Sequence, residues 1–222
     1  MKSIESITPL KRKTLQTEVY RQLCSLILEG GLAPGESFTI ASIANALQVS
    51  PMPVREAVTR LMAEKALTIV SGRSMGVPDL NKTSFEDLKN VRVEIESLAL
   101  KWAMRNTSPK FIADLEEKLI IMIAAEKSSE VKGFIRANYN FHFAIYNHAN
   151  SPILYNLISN LWLRISPYLH VLSESGHYKI SNEQHHNILA AVKMHDVEKA
   201  TASLIEDITS AYDTLVATLI TD

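Results

Sequence analysis

From Ser84 onward the chain carries helix signal and no other. Capping boxes at Ser84-Phe85-Glu86-Asp87 and Ser181-Asn182-Glu183-Gln184, Ser-Pro openings at Ser108-Pro109 and Ser151-Pro152, and a cap at Asp196 punctuate it. They predict helices over about 84–106, 108–127, 130–149, 151–172, 181–194 and 196–220, with a loop around Ser175-Gly176-His177. Six helices with short joins predict an antiparallel all-α bundle. The longest purely apolar run, Leu119 to Ala125, is far too short to span a bilayer.

The front of the chain has a different rhythm. Residues 1–13 lack periodicity and read as a flexible basic arm around Lys11-Arg12-Lys13. A helix from about Thr14, with Val19, Leu23, Leu26 and Ile27 on one face, stops at Gly30-Gly31. Thr39 caps a short helix with Ile43, Ala44 and Leu47 inward, and Gln48-Val49-Ser50 leads to a third, opened by Pro51 and buried along Val54, Ala57, Val58 and Leu61. Leu67 to Val70, a turn at Ser71-Gly72-Arg73-Ser74 and Met75-Gly76-Val77 predict a β-hairpin. The fold class is therefore mainly α: an N-terminal winged helix-turn-helix with a small hairpin wing, then a bundle of about six helices. The domains are an arm (1–13), the winged helix (14–78), a linker (79–83) and a helical domain (84–222).

Charge follows that division. Nine Lys and Arg stand against six Asp and Glu up to Pro78; fourteen stand against eighteen from Asp79 on, where all seven His also lie. A basic small domain joined to an acidic, His-bearing one suggests two jobs. The single Cys24 excludes an internal disulfide and a thiolate metal cluster. Lys11 to Lys13 occupy the place an apolar leader would need, so a cytoplasmic protein without membrane association is expected.

In a winged helix the third helix lies in the DNA major groove. Here it opens with Ser50-Pro51-Met52-Pro53, whose N–H groups suit a phosphate, and Arg55 one turn in can reach guanine O6 and N7. Arg60, and Arg73 at the wing, would reach phosphate. The alternatives are an Arg55 ion pair with Glu56 or Glu36, and a solvated Arg60.

Ala33-Pro34-Gly35, Ile43-Ala44, Val49-Ser50, Pro53-Val54-Arg55-Glu56-Ala57 and Leu61 resemble the GntR family of transcriptional regulators. Arg92 with Glu96, Phe141-His142 and His185-x-x-Ile188 resemble its FadR-like subgroup, and Leu161-Trp162-x-Arg164-x-x-Pro167 its VanR-like six-helix branch, with an FCD-type ligand domain. The resemblance implies a homodimer on a double-stranded DNA operator, with Thr39, Ser50, Pro51, Met52, Pro53, Arg55, Arg60, Gly72 and Arg73 at the DNA. Positions where many members carry arginine hold Ala41 and Pro51 here, which removes positive charge from that face.

The resemblance also implies a metal or an organic acid inside the bundle, at Asn138, His142, His185 and Asp207. Such nitrogen and oxygen donors suit zinc, nickel or another borderline divalent ion. Family sites usually carry Asp at 138 and His at 207. The alternative is a metal-free pair of buried histidines lining an effector pocket. Arg92 is the natural partner for an effector carboxylate or, at i, i+4, for Glu96; Arg164 is a second candidate. His148, His170, His177, His186 and His195 read as surface or capping residues, and Trp102, Trp162, Tyr139 and Tyr146 as core or pocket lining. The expected function is a ligand-responsive regulator, a repressor released by a small acid, and not an enzyme. A metalloenzyme using the His/Asp cluster and a dimeric interaction scaffold are the alternatives.

Overall fold

The computed structural model describes residues 15–174 and 178–219; the arm expected over 1–13 and the loop expected at 175–177 lie outside them. The head is α1 (Leu15–Leu28), β1 (Ser37–Thr39), α2 (Ile40–Leu47), α3 (Pro51–Ala63), β2 (Thr68–Ser71) and β3 (Ser74–Gly76). Val19, Leu23, Ile27 and Leu28 of α1 pack against Val54, Ala57, Val58 and Leu61 of α3. Leu26, expected on that face, is exposed and lies against the turn instead, where a Cβ at Gly31 would stand 2.3 Å from its Cδ1. The expected hairpin is β2 and β3, and β1 pairs with β3 to extend the wing to a three-stranded antiparallel sheet, order β1-β3-β2. Phe38 and its neighbours, given no element from the sequence, pair with β3.

The body is α4 (Lys82–Met104), α5 (Pro109–Lys127), α6 (Val131–His148), α7 (Pro152–Ile165), a 3₁₀ turn (Ser166–Tyr168), α8 (Leu169–Glu174), α9 (Tyr178–Lys193) and α10 (Val197–Leu219). α10 packs against α9 and α4, and α5 against α6. Three expectations need correction. Asn81, not Ser84, caps α4: its Oδ1 accepts from the Ser84 N–H at 2.9 Å, so α4 begins inside the expected linker. The helix expected over 151–172 breaks after Ile165, because Pro167 lacks the N–H the next turn needs. Ser181 lies inside α9, not at its cap, which frees its hydroxyl for the interior.

Head and body touch along the end of α1. Gly30, at φ +75°, packs so tightly that a Cβ there would lie 2.9 Å from Ile135 Cγ2. His170 Nε2 reaches the Gly30 carbonyl at 2.9 Å, and Arg136 pairs with Glu29 at 3.1 Å. The Tyr168 hydroxyl donates to the Pro78 carbonyl at 2.5 Å and accepts from the Leu80 N–H at 3.1 Å, clamping the connection. Among the described residues, no helix is long and apolar enough to cross a membrane.

Candidate functional site

Two regions gather the residues singled out from the sequence. The first is a groove between the starts of α2 and α3 and the wing, lined by Thr39, Ala41, Pro51, Arg55, Gly72 and Arg73, among others. Thr39 fixes one wall: its Oγ1 accepts from the Ser42 N–H at 3.1 Å, and the Ser42 hydroxyl accepts from the Thr39 N–H at 3.0 Å. Gly72, at φ +51°, forms the wing turn. Ser50 is the N-cap of α3 but makes no side-chain cap bond. Arg55 is exposed and makes no ion pair among the described residues, so neither Glu56 nor Glu36 holds it. The reading of the α3 start as a phosphate cradle needs narrowing, because Pro51 and Pro53 have no N–H and leave only Met52 and Val54 as donors there.

Arg60 is elsewhere. Its Nε binds Glu64 Oε1 at 3.0 Å and its guanidinium lies 3.7 Å over the Tyr20 ring, facing the cleft toward α7. It is held by Tyr20 and Glu64 of the head and is not among the residues lining the groove.

The second region is a cavity inside the body, lined on its polar side by Arg92, Asn138, His142, Ser181 and Asp207, and elsewhere by apolar groups including Phe134, Ile135, Trp162 and Leu172. At about 40 Å³ it has room for roughly three waters. α6 supplies Asn138 and His142 one turn apart, α9 supplies His185 and α10 supplies Asp207. His142 Nε2 lies 2.9 Å from His185 Nε2 and 3.3 Å from Asp207 Oδ2; His185 Nε2 to Asp207 Oδ2 is 4.0 Å. One donor atom from each residue lies within 4.8 Å of the others, a spacing that fits one ion about 2 Å from each.

The far side of each donor is also fixed. The Ser181 hydroxyl donates to Asp207 Oδ1 at 3.0 Å and lies 3.5 Å from His185 Nδ1. His142 Nδ1 lies 3.2 Å from the Tyr146 hydroxyl, which donates to Glu96 Oε2. Hydrogen bonds on Nδ1 leave both Nε2 atoms facing inward, the arrangement metal-bound histidines use. Tyr146 and Ser181 were not recognised as partners from the sequence, although each lies four residues from a histidine on the same helix.

Glu96 is a buried hub. It accepts from Arg92 Nε at 2.7 Å, from Trp162 Nε1 at 3.1 Å and from Tyr146. Arg92 thus lines the cavity and pairs with Glu96 at once. Arg164 is not among the cavity's lining residues. Its Nε is buried without a partner among the described residues.

Burial pushes the His185 imidazole down to about 4, against the pull of Asp207. Burial alone would raise the Asp207 carboxyl, but the facing His185 and His142 rings and the Ser181 hydroxyl outweigh it and hold it well below the usual carboxylate range. Arg92 and Glu96 pair with each other at the cavity wall, while Asp207 is held ionised by the rings and the hydroxyl that face it. In metal-free protein the unfolded chain takes up a proton near pH 6.5 that folded His185 refuses until about pH 4. Stability is therefore complete above that window and falls as the pH drops through it, by about 2–3 kcal/mol. Thermal melts in chelator from pH 7.5 to 4.5 should show this fall, and His185→Asn should flatten it.

Residues 15–77 match the family described as bacterial regulatory proteins, gntR family, and residues 87–210 match the FCD domain. The HTH-type transcriptional regulator McbR of Escherichia coli (strain K12) is 32% identical over 200 residues, covering 89% of this chain and 90% of that protein. The HTH-type transcriptional repressor GlaR of the same organism is 24% identical over 195 residues, covering 82% and 86%. The solved E. coli McbR/YncC structure superposes with a TM-score of 0.84 at 31% identity, over 93% of this chain and 99% of that one.

Proposed function

The chain belongs to the GntR family of transcriptional regulators, in its FCD-bearing, FadR-like subgroup, and we propose that within that family it is a homodimeric cytoplasmic repressor released by a small carboxylate acting at a metal-primed cavity. It is a ligand-responsive DNA-binding regulator. His142, His185 and Asp207 would hold a divalent ion such as zinc or nickel, with Asn138 on the cavity wall one turn before His142 as a further oxygen donor; the ion would supply an open position for a carboxylate oxygen. The carrying observation is the His142–His185–Asp207 cluster, in a cavity whose walls also touch the head. The repressor of similar sequence, GlaR, favours the negative sign.

The residues of this chain suggest the route from cavity to DNA. Ile135 lines the cavity and packs on Gly30. Leu169 and Leu172 line it too, and between them His170 binds the Gly30 carbonyl. A ligand that spreads α6 from α8 would therefore move the end of α1 and the pose of the head. An effector acts this way only if it binds the two poses with different affinity.

Gel shifts with DNA selected by this protein test the proposal. DNA should stay bound with zinc alone and be released by zinc with one acid of a small panel; release by no acid would sink the repressor reading.

For the dimer seam, α4 and α7 expose a shared apolar strip: Val91 at 42%, Ile153 at 76% and Leu157 at 54%, around a hollow floored by Ile95 and Leu161. A second copy is the occupant that would place two heads on two half-sites. Leu157→Asp should give a monomer by sedimentation at micromolar concentration, with DNA affinity down more than tenfold.

A further inference from the structure

We infer that the DNA face of this protein reads thymine 5-methyl groups through Met52, beside the guanine read by Arg55. The inference rests on the DNA-binding reading of the groove and specifies what that groove selects. Met52 lies in the first turn of α3 and is 61% exposed. It sits three residues before Arg55, so the two side chains share a helix face. Met52 stands beside the groove rather than among its lining residues; that lining sets Ala41, Pro51 and Ile69, the last 58% exposed, beside Arg55, with Thr39 and Arg73 also in it.

That composition decides what this turn can contact. Pro51 and Pro53 remove two of the first three N–H groups of α3, and Ser50 adds no side-chain cap. The turn is therefore poor at holding a phosphate, though it is the part of the helix that approaches the bases. Arg55 and Arg73 flank it with positive charge and have no ion pair among the described residues, so the surface attracts DNA. On the base edges of the major groove, one apolar group is on offer: the thymine C5 methyl. A flexible thioether can follow its shape. Val70, also exposed at 54%, is the unpaired residue where the β2–β3 register shifts; it lies against Gly76, where a Cβ would stand 2.7 Å from its Cγ2, and is not among the residues lining the groove.

Burying one methyl is worth about fourfold in affinity, and a symmetric dimer counts it twice, so removing it from both half-sites should cost about fifteenfold. The test selects binding sequences from a randomised duplex library with the full chain. Each selected thymine is then replaced by deoxyuridine, which keeps every hydrogen-bonding group and lacks the methyl.

The expected result is a guanine flanked by thymine in each half-site, with about fifteenfold weaker binding of one uracil-substituted duplex. Met52→Ala should bind the thymine and uracil duplexes alike, while keeping its preference for guanine. Arg55→Ala should do the reverse. Half-sites without thymine, or uracil substitution that costs nothing at every position, would overturn this inference and leave DNA binding standing. A uracil penalty that persists undiminished in Met52→Ala would overturn the assignment to Met52. A library that yields no sequence above background would overturn the DNA-binding reading itself.

Discussion

His142→Ala should abolish stoichiometric zinc binding and with it the protein's response to acids. His142 Nε2 faces both other donors, at 2.9 and 3.3 Å, so its loss leaves two donors 4.0 Å apart. Even the outer partners of a metal site change affinity about 10–100-fold, and losing one of three side-chain ligands should exceed that. A ligand at a thousand times its Kd stabilises by about 4 kcal/mol, which for a chain of this size is a Tm shift of roughly 10 °C. Zinc should therefore raise the wild-type Tm by about 10 °C and leave the variant unmoved. Tyr146→Phe removes the hydroxyl at His142 Nδ1 and keeps the ligand. It should weaken zinc about tenfold without abolishing it. The acid response separates this reading from a metal-free pocket. A divalent ion held by His142, His185 and Asp207 would add the positive charge that draws a carboxylate in. An acid that stabilises chelated protein as well as zinc-loaded protein would sink the metal-first order.

Much of this was legible because helix punctuation is local. Ser108-Pro109, Ser151-Pro152 and Asp196 cap or open helices where the sequence places them. The errors came where one local signal had two readings. Ser84-x-x-Asp87 looks like a box, yet Asn81 three residues earlier captures the same N–H. Ser181 looks like a cap, but with α9 starting at Tyr178 its hydroxyl turns to Asp207. Phe38 carried no strand pattern because β1 is three residues long and exists only through its pairing with β3. The convergence of His142, His185 and Asp207 from three helices came from family resemblance; no spacing in a single chain reports it. The partners of Glu96 were half legible: Arg92 by the i, i+4 rule, but Trp162 and Tyr146 only through tertiary packing. Arg60 lies over Tyr20, forty residues away in sequence, a contact no local pattern reports.

Glu96→Leu should destabilise the protein by about 3–5 kcal/mol, because it strands a buried guanidinium. Glu96 is 0% exposed and accepts from Arg92, Tyr146 and Trp162. For a chain of this size the loss is a Tm drop of roughly 10 °C. Adding Arg92→Met should recover most of it, since an apolar pair of similar volume replaces a buried ion pair at little cost. That double variant decides what Arg92 is for. None of the expected ion ligands is altered, so zinc affinity should stay within a few-fold of wild type. If Arg92 meets the effector carboxylate, the double variant should bind zinc, bind DNA and no longer release it when acid is added. Release at the wild-type acid concentration would make the Arg92–Glu96 pair a purely structural device and leave effector recognition to the ion and the apolar wall.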